Sequence, residues 1–168
     1  MNWRGVQMLS RIDKILENSD YKACIKQIEA HEIDRELCGH DLGHFIDVAR
    51  IATILSLEEG IILSRDHIYA AALLHDIGRH IQYENGTPHE VASAKISEAI
   101  LESAGFNKVE IEGIKIAILN HRNETIKEEK SLSGFLYRAD KLSRNCYSCT
   151  ASALCDWTAD NKNMTLKI

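Results

Sequence analysis

The stretch Ile68-Tyr-Ala-Ala-Ala-Leu-Leu-His-Asp-Ile-Gly-Arg-His80 decides how the chain is read. Its first seven residues, Ile68 to Leu74, are the longest apolar run in the sequence, and Ala70, Ala71 and Ala72 make a helix there apolar nearly all round. Such a helix belongs at the centre of a bundle, where neighbours cover every face. His75-Asp76 follows directly on the run, which carries a carboxylate into apolar surroundings, and burying it without a compensating cation is costly. With Ser64 as N-cap, the reading runs this helix from Arg65 to about His80. The run is far too short to span a bilayer.

Outward from this helix, apolar residues recur at spacings of three and four, and sustained strand-type alternation is absent, so the chain reads as all-α. Val6, Leu9, Ile12 and Leu16 form one stripe, and a second helix starts after Asn18-Ser19 with Tyr21, Cys24, Ile25 and Ile28. A third, from His40 to about Leu57, buries Val48, Ile51, Ala52 and Leu55. In Thr87-Pro88-His89-Glu90, Thr87 reads as an N-cap, Pro88 as the first helical residue and Glu90 as the closing member of a capping box. That helix ends at Gly105, the next begins near Asn107 with Ile111, Ile114 and Ile118 inward, and the last starts at about Ser131 with Phe135, Leu136 and Ala139 on one side. The expectation is one domain, a bundle of about seven to eight helices. Its core covers about residues 38–145, between a helical extension over 1–37 and a Cys-containing cap over 146–168.

Composition agrees with a compact domain. Of the 168 residues 45% are hydrophobic and 27% charged, with 9 Gly and 1 Pro, which excludes a disordered or collagen-like chain. A formal net charge of -5 argues against nonspecific binding to nucleic acid or to an anionic membrane. The start Met1-Asn2-Trp3-Arg4 opens no hydrophobic signal core, so the cytoplasm is the expected compartment. Five Cys is an odd number there, which favours free thiols or metal ligands over a disulfide framework.

The chemistry concentrates in His44, the pair His75-Asp76, His89, His121 and Asp140, all at helix starts or ends that a bundle can bring together. Imidazole and carboxylate suit borderline and moderately hard divalent ions, and a carboxylate beside a His can bridge two of them. Taken singly, a His is more often an ordinary hydrogen-bonded residue, and His31, His67 and His80 are read as surface residues. His40 and Asp41 lie one helical turn before His44, as orienting groups or simply as helix-start residues. Arg79, Arg122, Lys141 and Arg144 are candidate phosphate clamps, because guanidinium binds phosphate oxygens bidentately. A second constellation, Cys146-x2-Cys149-x5-Cys155 with Cys38 as a fourth thiol, has the ligand type for a structural zinc or an iron–sulfur cluster, although the spacing matches no strong zinc signature. Asp140 and His44 place both Cys segments close to the same centre. Residues 145–157 are therefore expected to form a cap against the Cys38 to Asp41 entrance, with Trp157 over its apolar edge.

The order of these stations resembles the HD-domain superfamily of metal-dependent phosphohydrolases, in its binuclear branch. The strings that carry the resemblance are His44-Phe-Ile-Asp-Val-Ala-Arg-Ile-Ala52, Ala71-Ala-Leu-Leu-His-Asp-Ile-Gly-Arg79, His89-Glu-Val-Ala92, Ile118-Leu-Asn-His121 and Arg138-Ala-Asp-Lys-Leu142. The resemblance implies that His44, His75, Asp76 and Asp140 hold one metal, and that Asp76 bridges to a second held by His89 and His121. Asp76 and Arg79 are then the catalytic residues. It implies two divalent ions, iron first, with manganese, cobalt, nickel or zinc as alternatives. The implied reaction is hydrolysis of a phosphoester or phosphoanhydride of a nucleotide-like or small phosphorylated substrate, a dinucleoside polyphosphate being the nearest named activity. His121 is followed by Arg122 and no Gly-Tyr-Pro tripeptide is present, which argues against the cyclic-dinucleotide phosphodiesterase branch. The alternatives are a di-iron oxygenase on the same six ligands and a non-catalytic ligand-binding regulatory module.

Overall fold

The structure, a computed structural model, describes residues 10–166, so Val6 and Leu9 of the first apolar stripe lie outside the described residues. Eight α-helices follow one another among these residues, with no strand: α1 Arg11–Glu17, α2 Ser19–His31, α3 Leu42–Glu58, α4 Arg65–Leu74, α5 Arg79–Asn85, α6 His89–Ala104, α7 Lys108–Asn120 and α8 Leu132–Leu142. Short 3-10 turns occur at Glu124–Ile126, Cys146–Ser148 and Ala159–Asn161. No described helix is long and apolar enough to cross a membrane.

Local capping chemistry sets most helix starts. The Asn18 side chain accepts from the backbone N–H groups of Asp20 and Tyr21 to begin α2, and Asp41 accepts from His44 N at 2.8 Å to begin α3. Asn107 and Glu110 form a reciprocal capping box at α7, and Ser131 caps α8 through Gly134 N. At α6 the expected capping box does not form. Thr87 donates both its N–H and its hydroxyl to Asn85 Oδ1, Pro88 takes the cap position, and Glu90 turns toward His89 and Arg122. Ser64 occupies the N-cap of α4 without a side-chain cap bond.

Helix α4 is the axis of the bundle, in contact with α1, α3, α6, α7 and α8. Ile68 and Ala70 to Leu74 are all buried, and the three alanines let neighbouring backbones come close. The expected single helix from Arg65 to His80 is in fact two. His75 Nδ1 donates to the Ala72 carbonyl at 2.7 Å, and Gly78 N donates to Ser93 Oγ of α6 at 2.8 Å, so residues 75–78 leave the helical ladder as a turn. Gly78 is required there by close approach, since a Cβ would stand 2.4 Å from Ser93 N. The turn sends α5 back between α2 and α6, and this buries His80, read from the sequence as a surface residue. Its Nδ1 donates to the Ile77 carbonyl at 2.9 Å. His31 is exposed and His67 half-buried, each beside a carboxylate, Glu84 and Glu110 respectively.

Candidate metal centre

The end of α4, the first turns of α3 and α6, and the last turns of α7 and α8 meet around Asp76. Two sets of donor atoms converge there, each with all its members within 4.8 Å of one another: His44, His75, Asp76 and Asp140, and Asp76, His89 and His121. Asp76 belongs to both, with one oxygen for each. Its Oδ2 lies 3.3 Å from His75 Nε2 and 4.0 Å from His44 Nε2, while Oδ1 lies 3.1 Å from His89 Nε2 and 3.5 Å from His121 Nε2. Asp140 Oδ1 closes the first set at 3.4 Å from His44 and 3.7 Å from His75.

Each imidazole is oriented by its other nitrogen. His75 Nδ1 donates to Ala72 O, His121 Nδ1 to Ile118 O at 2.6 Å, and His89 Nδ1 to Gln82 Oε1 at 2.5 Å. Ser143 Oγ donates to the Asp140 carbonyl and lies 3.1 Å from His44 Nδ1, from which it accepts. With Nδ1 committed as donor, Nε2 presents a lone pair inward, the arrangement of metal-ligating histidines. The Nε2 atoms of His89 and His121 then face each other at 3.1 Å, which is unfavourable between two lone pairs unless a cation lies between them. Both Asp76 oxygens and His75 Nε2 are buried without a hydrogen-bond partner. These orphaned acceptors and the nitrogen/oxygen donor chemistry fit divalent metal ions.

Cations compensate part of this buried charge. Arg79 Nε lies 3.1 Å from Asp76 Oδ2, Lys141 Nζ lies 2.5 Å from Asp140 Oδ2, and Arg144 Nη2 approaches both His44 Nε2 at 3.1 Å and Asp140 Oδ1 at 3.5 Å. Burial pushes the Asp76 carboxyl up, but His75 and Arg79 hold it well below the usual carboxylate range, and His44, His75 and Lys141 do the same for Asp140. His75 shows the converse: burial disfavours its cation, yet Asp76 and Asp140 raise it to about 9, so a metal binding at its Nε2 displaces a proton held between the two carboxylates. Burial lowers His44 and His89.

The two candidate orienting residues take different places. Asp41 caps α3 through His44 N and so places His44 by backbone alone. His40 is buried, with Nε2 3.8 Å from Asp76 Oδ2 and Nδ1 2.5 Å from Glu32 Oε1, and burial lowers it to about 4. Glu32 also accepts from Tyr83 Oη and from His40 N. Gln82, Ser143 and Glu32 are not among the residues that the sequence motifs mark. Of the three only Ser143 carries a local signal, one helical turn after Asp140, because Gln82 lies on a helix visible only once the break at residues 75–78 is known. Since partners of this kind hold a ligand's tautomer, Gln82→Ala is expected to weaken metal binding at His89 and His121 about 10–100-fold, as read by metal titration of the apoprotein.

A cavity of about 370 Å³ opens beside the centre. Its lining includes Arg79, Arg122, Lys141 and Arg144, the four clamp candidates, together with His40 and Asp140. Arg35 and Lys162, not foreseen as part of it, add two further cations. Cys38, Cys146, Cys149, Cys155 and Trp157 line it as well, so the Cys38 to His40 stretch and the chain after α8 face one space. Among the described residues the thiols do not form a point-like cluster: no three of them lie within 4.8 Å of one another.

A bundle whose central helix delivers a His-Asp pair into two overlapping imidazole and carboxylate sets defines a helical His/Asp metal-site domain. Residues 41–145 match the HD domain family, and the chain belongs to that family. It is 44% identical over 158 residues to an uncharacterized protein of Clostridium beijerinckii, covering 94% of this chain and 99% of that one. In fold it is similar to a predicted HD superfamily hydrolase from an uncultured Thermotogales bacterium, with a TM-score of 0.64 and 23% identity over 95% of this chain and 85% of the other.

Proposed function

We propose that the protein is a metal-dependent phosphohydrolase acting on a phosphoester or phosphoanhydride of a nucleotide-like or small phosphorylated substrate. The observation that carries this reading is Asp76, a single buried carboxylate shared by two donor sets. His44, His75, Asp76 and Asp140 would hold one divalent ion, and Asp76, His89 and His121 a second, with iron the first candidate and manganese, cobalt, nickel or zinc as alternatives. When bound, such ions acidify water and offset negative charge on phosphoryl oxygens.

The protein's own contribution is binding and orientation. Arg79 and Arg144 each reach a ligand carboxylate from the cavity side, so a phosphate entering the cavity meets guanidinium groups already aimed at the centre. Lys141 and Arg122 widen the cationic surface, which selects polyanions in a chain that is acidic overall. His40 donates Nδ1–H to Glu32, which leaves its neutral Nε2 beside Asp76 as an acceptor for a water or substrate hydroxyl entering the cavity. Trp157 and Leu37 give the cavity an apolar wall for the part of the substrate that is not phosphate.

The test is metal analysis of protein purified without added metals, followed by a screen over nucleotides, dinucleoside polyphosphates and phosphorylated metabolites. Two ions about 3.5–4 Å apart by anomalous scattering and release of phosphate are expected. Arg79→Ala should lower kcat/KM about 100-fold with both metals retained. One ion per chain with His89 and His121 turned away, or a fully loaded protein that releases phosphate from none of these compounds, would overturn the reading.

A further inference from the structure

Four of the five cysteines come from two separate parts of the chain to one cavity: Cys38 from the irregular stretch before α3, and Cys146, Cys149 and Cys155 from the chain after α8. The fifth, Cys24, is buried in α2 and does not line this cavity. Cys146 and Cys149 span one 3-10 turn, closed by the bond from Cys149 N to Cys146 O at 3.2 Å, so their side chains start one turn apart on a common knuckle.

The segment that bears three of these thiols has little else to hold it. Between Asn145 and Asn163 only Cys146, Ala151 and Asn163 are buried, while Tyr147 and Leu154 are exposed. Regular structure there amounts to two three-residue turns. Its tethers are polar: Asn163 Nδ2 donates to the carbonyls of Lys141 and Arg144 at 2.8 and 2.9 Å, and Lys162 Nζ donates to Ser152 O at 2.8 Å. A long irregular segment with so small an apolar core needs another source of order, and a metal held by its side chains is one that small domains use. Across the cavity, Cys38 is itself positioned: Arg35 Nε donates to the Cys38 carbonyl at 2.8 Å, and Arg144 Nη1 donates to Gly39 O at 2.9 Å.

We propose that Cys38, Cys146, Cys149 and Cys155 form a four-thiolate metal site, distinct from the His/Asp centre, that fastens the segment after α8 over the mouth of that centre. Its ligand is a thiophilic metal group, an iron–sulfur cluster or a zinc ion. The four thiols line one cavity, but no three of them lie within 4.8 Å of one another, so the close tetrahedral set of a single zinc ion is not formed and a cluster, with its own atoms between its ligands, asks less movement of them. Arg35 and Lys162, which the His/Asp centre does not use, line the same cavity and offset the negative charge that four thiolates bring together.

The site is independent of what the His/Asp centre hydrolyses, and the experiment keeps the two apart. Full-length protein is purified anaerobically and assayed for iron, zinc and acid-labile sulfide, beside Cys146→Ser/Cys149→Ser and Cys24→Ser variants. Acid-labile sulfide with the visible charge-transfer absorption of thiolate–iron bonds identifies the cluster, and zinc with sulfur neighbours in X-ray absorption identifies the single ion. Either must be lost in the double variant and kept in Cys24→Ser. In the double variant helical circular dichroism should be unchanged, while proteolysis between residues 145 and 163 should rise about tenfold or more. Wild-type protein with neither sulfide nor sulfur-bound zinc would overturn the proposal, as would a double variant that retains them. His89→Ala, which touches only the other centre, should leave the sulfur-bound metal in place even if hydrolysis is absent.

Discussion

Asp76→Ala is expected to remove metal from both donor sets and to reduce phosphate release by about three orders of magnitude or more, whereas His121→Ala should lose mainly one ion and keep measurable turnover. The asymmetry follows from geometry, because Asp76 gives one oxygen to each set while His121 belongs to one. Two cations near one another also need the bridging carboxylate to offset their repulsion. Asp76→Asn separates charge from shape: it keeps the side-chain volume and discards the anion. Metal counts by elemental analysis and turnover under saturating metal check the pair. Equal residual rates in Asp76→Ala and His121→Ala would contradict the bridging role.

Gly78→Ala should be the most damaging substitution of a residue that donates nothing to the centre. The added methyl would stand 2.4 Å from Ser93 N, 2.7 Å from Ala92 Cβ and 2.8 Å from His89 O, and two of these are backbone atoms that cannot swing aside. The turn after Asp76 must then part from the first turns of α6, which also breaks the Gly78 N to Ser93 Oγ bond in a buried setting. Overpacking against backbone costs about 3 kcal/mol or more, a fall of roughly 10 °C in Tm for a chain of this size. Because α6 carries His89, the separation also moves one donor of the second set away from Asp76. Thermal denaturation with metal analysis reads both effects, and the set built on His44, His75, Asp76 and Asp140 should keep its ion better than the other.

Much of this architecture was legible along the chain because its causes are local. Asn18, Asn107 and Ser131 mark helix starts by bonding backbone groups two or three residues away, a range within which sequence alone specifies geometry. The apolar run from Ile68 to Leu74 could only be a central helix, and the donors His44, His75, Asp76, His89, His121 and Asp140 could be read in order because each lies near a helix end. What the sequence did not determine rests on contacts between distant residues. The helix through His75 ends early because Gly78 lies against the backbone of α6, fifteen residues further on, and the buried place of His80 and the partnership of Gln82 with His89 follow from that turn. The Thr87 cap gives way to a competing acceptor on Asn85, which a motif read in isolation does not contain. Likewise Cys38 lines the same cavity as Cys146, Cys149 and Cys155 only because α3 and α8 pack together. Residue type and periodicity determined which groups point inward and what chemistry they offer; the close approach of backbones decided which of them meet, since packing depends on every neighbour at once.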